Sequence, residues 1–149
     1  MDETRKLSAV LLIVVSSCSL IEARGREKSL SVEEHTQRAE KYLEKKNWWK
    51  TLWHYNKAWE KLLKVEKKDE AETLVKKMNK VFWQAIEYKI ENKEITNQTG
   101  ALTFLNSRIA KRQKKKLDCK QELEIKKKLE NKENESALEQ VKKILKELE

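Results

Sequence analysis

The chain contains no proline and only two glycines, Gly25 and Gly100, in 149 residues. Tight turns and strand reversals draw on those two residue types, because they need a preset or a positive φ. A chain nearly without them is steered toward long helices. Charged residues make up 40% of the sequence, mostly Lys and Glu, and both sustain helix at exposed positions. The expected fold is all-α.

The N-terminus bears on the compartment. Arg5 and Lys6 precede an uncharged run from Leu7 to Ser17, apolar without interruption from Ala9 to Val15. A helix that crosses a bilayer needs roughly twenty apolar residues, so this run is too short to span and has the length of a signal-peptide core. It ends in Val15-Ser16-Ser17-Cys18. An aliphatic residue, two small residues and a cysteine resemble the bacterial lipobox. That resemblance implies removal of residues 1–17 and acylation of the Cys18 thiol, leaving residues 18–30 as a lipid-anchored tether. Ser19, where an aspartate would signal retention, is compatible with an outer membrane if there are two. Asp2 and Glu3 dilute the positive charge before the apolar run. Two other readings therefore stay open: a secretory leader cut after Ser19 or Ala23 without lipid, and a cytoplasmic protein with an apolar first helix. Once Cys18 is acylated, Cys119 is left as a lone thiol, expected exposed, with no internal disulfide to form.

The formal charge is +9. In the cytoplasm this would point to a basic nucleic-acid binder. Export redirects it toward anionic lipid headgroups or acidic proteins.

With leader and tail set aside, about eighty residues remain for a core, enough for three or four helices. Ser31-Val32-Glu33-Glu34 has the form of a capping box and opens a helix running to about Lys46. Asn47 serves as a turn residue or the next N-cap. A second helix, Trp48 to about Glu66, carries Trp48, Thr51, Leu52, Tyr55, Ala58, Trp59, Leu62 and Leu63 on one stripe. A third begins near Asp69, with Ala71, Leu74, Val75, Met78, Phe82, Ala85 and Ile86 at helical spacing. A loop over 92–100 precedes a fourth helix from Ala101 that offers Leu102, Leu105 and Ile109 to the core. From Lys111 onward apolar residues thin out, and residues 111–149 read as a solvated, charged helical tail. Its Lys111 to Lys116 run is a candidate contact for anionic lipid or an acidic partner. Ser136-Ala137-Leu138-Glu139 looks like a second capping box, followed by a short seam of Leu138, Val141, Leu145 and Leu148.

Ala39, Tyr42, Trp48, Thr51, Tyr55 and Ala58 have a spacing similar to that of the tetratricopeptide repeat, a helix-turn-helix unit of about 34 residues. The resemblance covers Val32 to Lys67. It implies short antiparallel helical hairpins over residues 31–110, one degenerate repeat with capping helices, and a protein-binding role. The chain departs from the repeat pattern at His35 and Arg38, at Lys46 where a glycine is usual, and at Leu63 where a proline is usual.

Chemistry-bearing residues are few. His35 and His54 fall on different helices without a cysteine or acidic cluster at metal-ligand spacing, so neither a metal nor a cofactor is expected. Two distant glycines make no phosphate loop, and no constellation for acid-base catalysis stands out, so no enzyme is expected. Trp48 and Trp59 sit on the core stripe. Trp49 and Trp53 flank it one turn apart, among Lys50 and Lys57, and these four are the candidate contacts for a protein partner. The expected function is a non-catalytic adaptor or scaffold, held at the cell envelope by its lipid.

Overall fold

The computed structural model describes residues 30–149. The expected signal peptide, nearly all of the expected tether and Cys18 lie outside the described residues. Among those described, regular structure is helical throughout: α1 (Val32–Glu44), α2 (Trp48–Lys64), α3 (Lys68–Glu91), α4 (Ala101–Lys114), α5 (Lys120–Glu130) and α6 (Asn134–Glu147). The fold is all-α. It comprises two compact units, residues 30–81 and Phe82–Glu149, and the division falls inside α3.

Helix starts follow local chemistry. The Ser31 hydroxyl accepts from the Glu34 amide at 3.1 Å while the Glu34 carboxylate accepts from the Ser31 amide at 3.2 Å. Two amides that a helix N-terminus leaves without partners are thereby satisfied. Asn47 caps α2 by accepting from the Lys50 amide at 3.3 Å.

Helix stops share one device. Lys46, Glu66, Lys93, Lys116 and Lys132 have φ between 58° and 61°, and each lies just beyond a helix. After α1, the Lys46 amide donates to the Leu43 carbonyl and the Asn47 amide to the Tyr42 carbonyl. The same two bonds recur at Glu66 and Lys67, Lys93 and Glu94, Lys116 and Leu117, and Lys132 and Glu133. This is the Schellman motif, which usually ends on glycine. A Cβ in the left-handed region costs roughly 1–2 kcal/mol, and here Lys or Glu carries that strain five times.

In residues 30–81, α1 packs on α2. The expected stripe of α2 is buried from Trp48 to Leu62. Burial goes further than a stripe, because every residue from Thr51 to Asn56 is inaccessible. That part of α2 is therefore covered all round. Ala71, Leu74, Val75 and Met78 of α3 are buried as their spacing predicts. Lys77 reaches Glu40 at 3.4 Å and lies 5.3 Å from the centre of the Tyr55 ring.

Phe82–Glu149 differs from expectation. Residues 111–149 are not a solvated tail: α5 packs against α4 and α6, burying Ile125, Leu129, Ala137, Val141, Ile144 and Leu145. The expected boundary near residue 110 lies within this unit. On α4, Leu105 and Ile109 are buried, but Ala101 and Phe104 share the core face and Leu102 is only half-buried. Ser136 lies within α6, which opens at Asn134 after Glu133. The seam runs through Ala137, Val141, Ile144 and Leu145, while Leu148 is 40% exposed. Cys119, expected at the surface, is buried, and that burial pushes its thiol pKa up.

Arg108 is buried on α4 and its Nε donates to Glu122 Oε2 of α5 at 2.7 Å. Its guanidinium lies 4.4 Å from the centre of the Phe82 ring and 5.5 Å from that of Trp83. Arg112 approaches the same carboxylate at 3.8 Å and donates to the Asp118 carbonyl at 2.7 Å. A buried ion pair gains little over apolar packing, but removing one partner leaves a charge stranded.

Two outcomes are expected. Replacing Lys132 or Lys116 by glycine relieves the left-handed Cβ and should stabilise the protein by about 0.5–1 kcal/mol in urea unfolding. The Lys132→Ala control keeps a Cβ and should gain nothing; an equal gain there would show that strain is not the cause. Glu122→Ala strands the Arg108 charge and should cost about 3–5 kcal/mol. A loss below about 1 kcal/mol, the range of exposed pairs, would mean that water reaches the guanidinium.

Candidate functional site

The hairpin of α1 and α2 gathers the aromatic and titratable residues of the first unit. His35, Ala39 and Tyr42 recur at four- and three-residue steps along α1, which places them on one face. Ala39 is fully buried, so the two helices can approach closely at that point. Opposite, α2 presents Trp53 and His54.

The two imidazoles meet there. His35 Nδ1 and His54 Nδ1 are 3.0 Å apart, and the residues are 0% and 5% exposed. The Tyr42 ring stacks on His54, with centroids 5.6 Å apart and planes within 10°. Trp53 stands edge-on to both histidines, at 4.9 Å from His54 and 6.1 Å from His35. Burial, followed by the positive charge of His35, Arg38 and Lys50, pushes the His54 pKa down to about 4. That ring is neutral at pH 7. A neutral imidazole has one N–H and one lone pair, so a bond between two Nδ1 atoms needs opposite roles on the two rings.

Lysines cover the aromatic residues of this region. Lys46 lies 5.7 Å from the Trp48 ring centre, Lys50 5.2 Å from that of Tyr42, and Lys57 5.3 Å from that of Trp53. An ammonium over a ring face is attracted by the ring quadrupole, contributing about 0.5–1 kcal/mol at exposed sites. Lys57 also pairs with Glu60 at 3.5 Å.

The four expected partner contacts thus divide. Trp48 and Trp59 are core, as their positions on the stripe imply. Trp53 is only 4% exposed and packs against His35 and His54, so it is a core residue and not a surface anchor. Its flank position becomes interior because α2 is covered on more than one side. Trp49, Lys50 and Lys57 are half-buried. The histidine pair was not expected, because a sequence shows two separate helices and not the register that sets position 35 against position 54.

In Phe82–Glu149 an open groove of about 610 Å³ lies along α5 and α6. Lys120, Glu124, Lys128, Glu139, Gln140 and Lys143 are among its lining residues. Lys128 donates to Gln140 at 2.7 Å, and Gln140 donates to Glu124 at 2.9 Å. Its charges are mixed in sign. Among the described residues, no group of three or more His, Cys, Asp or Glu is placed to hold a metal ion. No described helix is long and apolar enough to cross a membrane.

No known protein family, curated protein or solved structure matches the chain.

The packing separates the two flanking tryptophans. Trp53→Ala should cost about 3–5 kcal/mol in urea unfolding, as for other buried aromatic truncations. Trp49→Ala should cost well under half as much. Equal losses would put both indoles in the core and remove Trp49 from consideration as a contact.

Proposed function

We propose that this chain is an envelope lipoprotein, anchored through Cys18, whose α1–α2 hairpin binds a protein partner without catalysis. The observation that carries the reading is the form of the hairpin. Two helices close over the small buried residues Ala39 and Ala58, and the turn between them places Lys46 at φ 60°. The tetratricopeptide repeat usually has its glycine at that turn position, and a glycine is what a left-handed residue would favour. The aromatic positions that resemble the repeat support the same reading, since Trp48 and Tyr55 are both buried. The hairpin is then a degenerate repeat, and the later helices extend the scaffold.

Trp49 with Lys50 and Lys57 forms the favoured contact surface. Trp is enriched at binding hot spots, and a half-buried indole contributes contact area with little further loss of freedom. The anchor rests on Val15-Ser16-Ser17-Cys18. One acyl chain alone holds a protein only marginally at a membrane, so stable anchoring would need more than one on the mature N-terminus.

Intact mass of the mature protein from bacterial membranes tests the anchor. The expected species begins at Cys18 and carries acyl groups. A chain that still begins at Met1 would overturn the envelope reading and favour the basic nucleic-acid binder, whose affinity would fall steeply with salt. An unmodified chain cut after Ser19 or Ala23 would instead indicate secretion without lipid.

A further inference from the structure

His35 and His54 are the only histidines in the sequence, and the fold brings them face to face from α1 and α2. Their Nδ1 atoms, 3.0 Å apart, have room for one hydrogen between them. One ring donates and the other must keep a lone pair. When both rings become imidazolium, each Nδ1 carries a hydrogen, and the bond is replaced by two N–H groups pointing at one another. Both rings are buried, so a second charge is opposed by lost hydration as well as by the first charge. The charged groups acting on His54 reinforce this. From α1 they are His35 and Arg38, and from its own helix Lys50, all cations or potential cations. The Tyr42 and Trp53 rings that contact His54 carry no compensating charge, whereas Glu34 on α1 acts on His35 with the opposite sign, so the second proton, on His54, is the costly one.

We infer that the His35–His54 pair is a proton-operated latch, closing α1 on α2 while it shares one hydrogen and releasing them when both rings are protonated. Release uncovers Tyr42 and Trp53, the aromatic faces that the closed hairpin holds inside. The latch operates in the chain alone and requires neither the lipid nor a partner.

The direction follows from proton linkage. The folded pKa of His54, about 4, lies below the ordinary value of 6.5, so the opened chain binds more protons than the closed one between those limits. Closure is complete above pH 6.5 and is lost progressively as pH falls toward 4. That difference in pKa corresponds to a shift in the opening equilibrium of roughly two to three hundred-fold. From pH 6.5 to 5 most carboxylates remain ionised, and histidine is the side chain whose ordinary pKa falls in range, of which the sequence has these two.

The test uses the full chain, comparing wild type with the double variant His35→Asn and His54→Asn. An asparagine amide sits close to where Nδ1 was and does not titrate. Urea unfolding midpoints at pH 7, 6 and 5 should fall for wild type and stay level for the variant. Hydrogen exchange at pH 5, corrected for intrinsic rates, should rise in α1 and α2 while α4 to α6 stay protected. Nitrogen-15 NMR of the imidazoles should show one protonated and one bare Nδ1 at pH 7, with His54 taking its proton only well below 6.5. The latch is overturned by a wild-type midpoint that does not move, or by an equal fall in the variant. Exchange that rises in all helices together would overturn it too. If the variant does not fold, the NMR titration decides: two rings with ordinary midpoints near 6.5 would rule the latch out.

Discussion

Each of the five links between the described helices begins with one residue held at positive φ just beyond the preceding helix. The Schellman pair of hydrogen bonds satisfies carbonyls at a helix end that would otherwise face the core unpartnered. Because the end is satisfied within two residues, the next helix can begin at once. Asn47 shows the economy of the arrangement: its amide closes α1 and its side chain opens α2. Short links make sequence neighbours into packing partners, α1 with α2 and α5 with α6. Helices of eleven to seventeen residues are marginal alone. Where adjacent helices pack, as α1 does on α2 and α5 on α4 and α6, the turn delivers one apolar face to cover another, and that burial offsets the strain of a side chain in the left-handed region.

Most charged side chains of the described residues stay in water, but a few polar groups are buried. Each of the two units contains a buried polar pair that joins adjacent helices. In Phe82–Glu149 it is Arg108 and Glu122, with Phe82 and Trp83 against the guanidinium. In residues 30–81 it is His35 and His54, with Tyr42 and Trp53 against the rings. The physical logic is the same: a polar group leaves water only when a partner meets its hydrogen-bonding capacity, and aromatic surface fills the remaining space. The consequences differ. The arginine of the ion pair keeps its charge across ordinary pH, because it does not lose its proton there. An imidazole pair changes form within the range where histidine titrates, which makes the α1–α2 contact the pH-sensitive one.

The interleaving of lysine and tryptophan along α2 takes on a definite meaning in this setting. As a linear pattern it suits a surface that grips a partner or stacks nucleobases. Folded, Lys46, Lys50, Lys57 and Lys77 lie over Trp48, Tyr42, Trp53 and Tyr55. These ring faces are thus covered by the chain's own cations, with the lysine stems adding apolar cover.

Local signals carried much of the fold. Scarce glycine and proline imply helix; Ser31 with Glu34 marks the start of α1; and the spacing from Ala71 to Ile86 marks the buried face of α3. These are properties of a few consecutive residues, and neighbours along the chain are enough to decide them. Helix ends were harder to place, because lysine and glutamate occupy the left-handed positions and nothing in their chemistry announces a turn. Residues 111–149 read as solvated for a related reason: short amphipathic helices with sparse leucines show their buried face only when a second helix covers it. Arg108, four residues after Phe104 on the core face of α4, carried a faint signal, but its partner Glu122 lies on another helix. The histidine pair had none. Whether two titratable rings meet depends on the register between helices, and only packing in three dimensions sets that register.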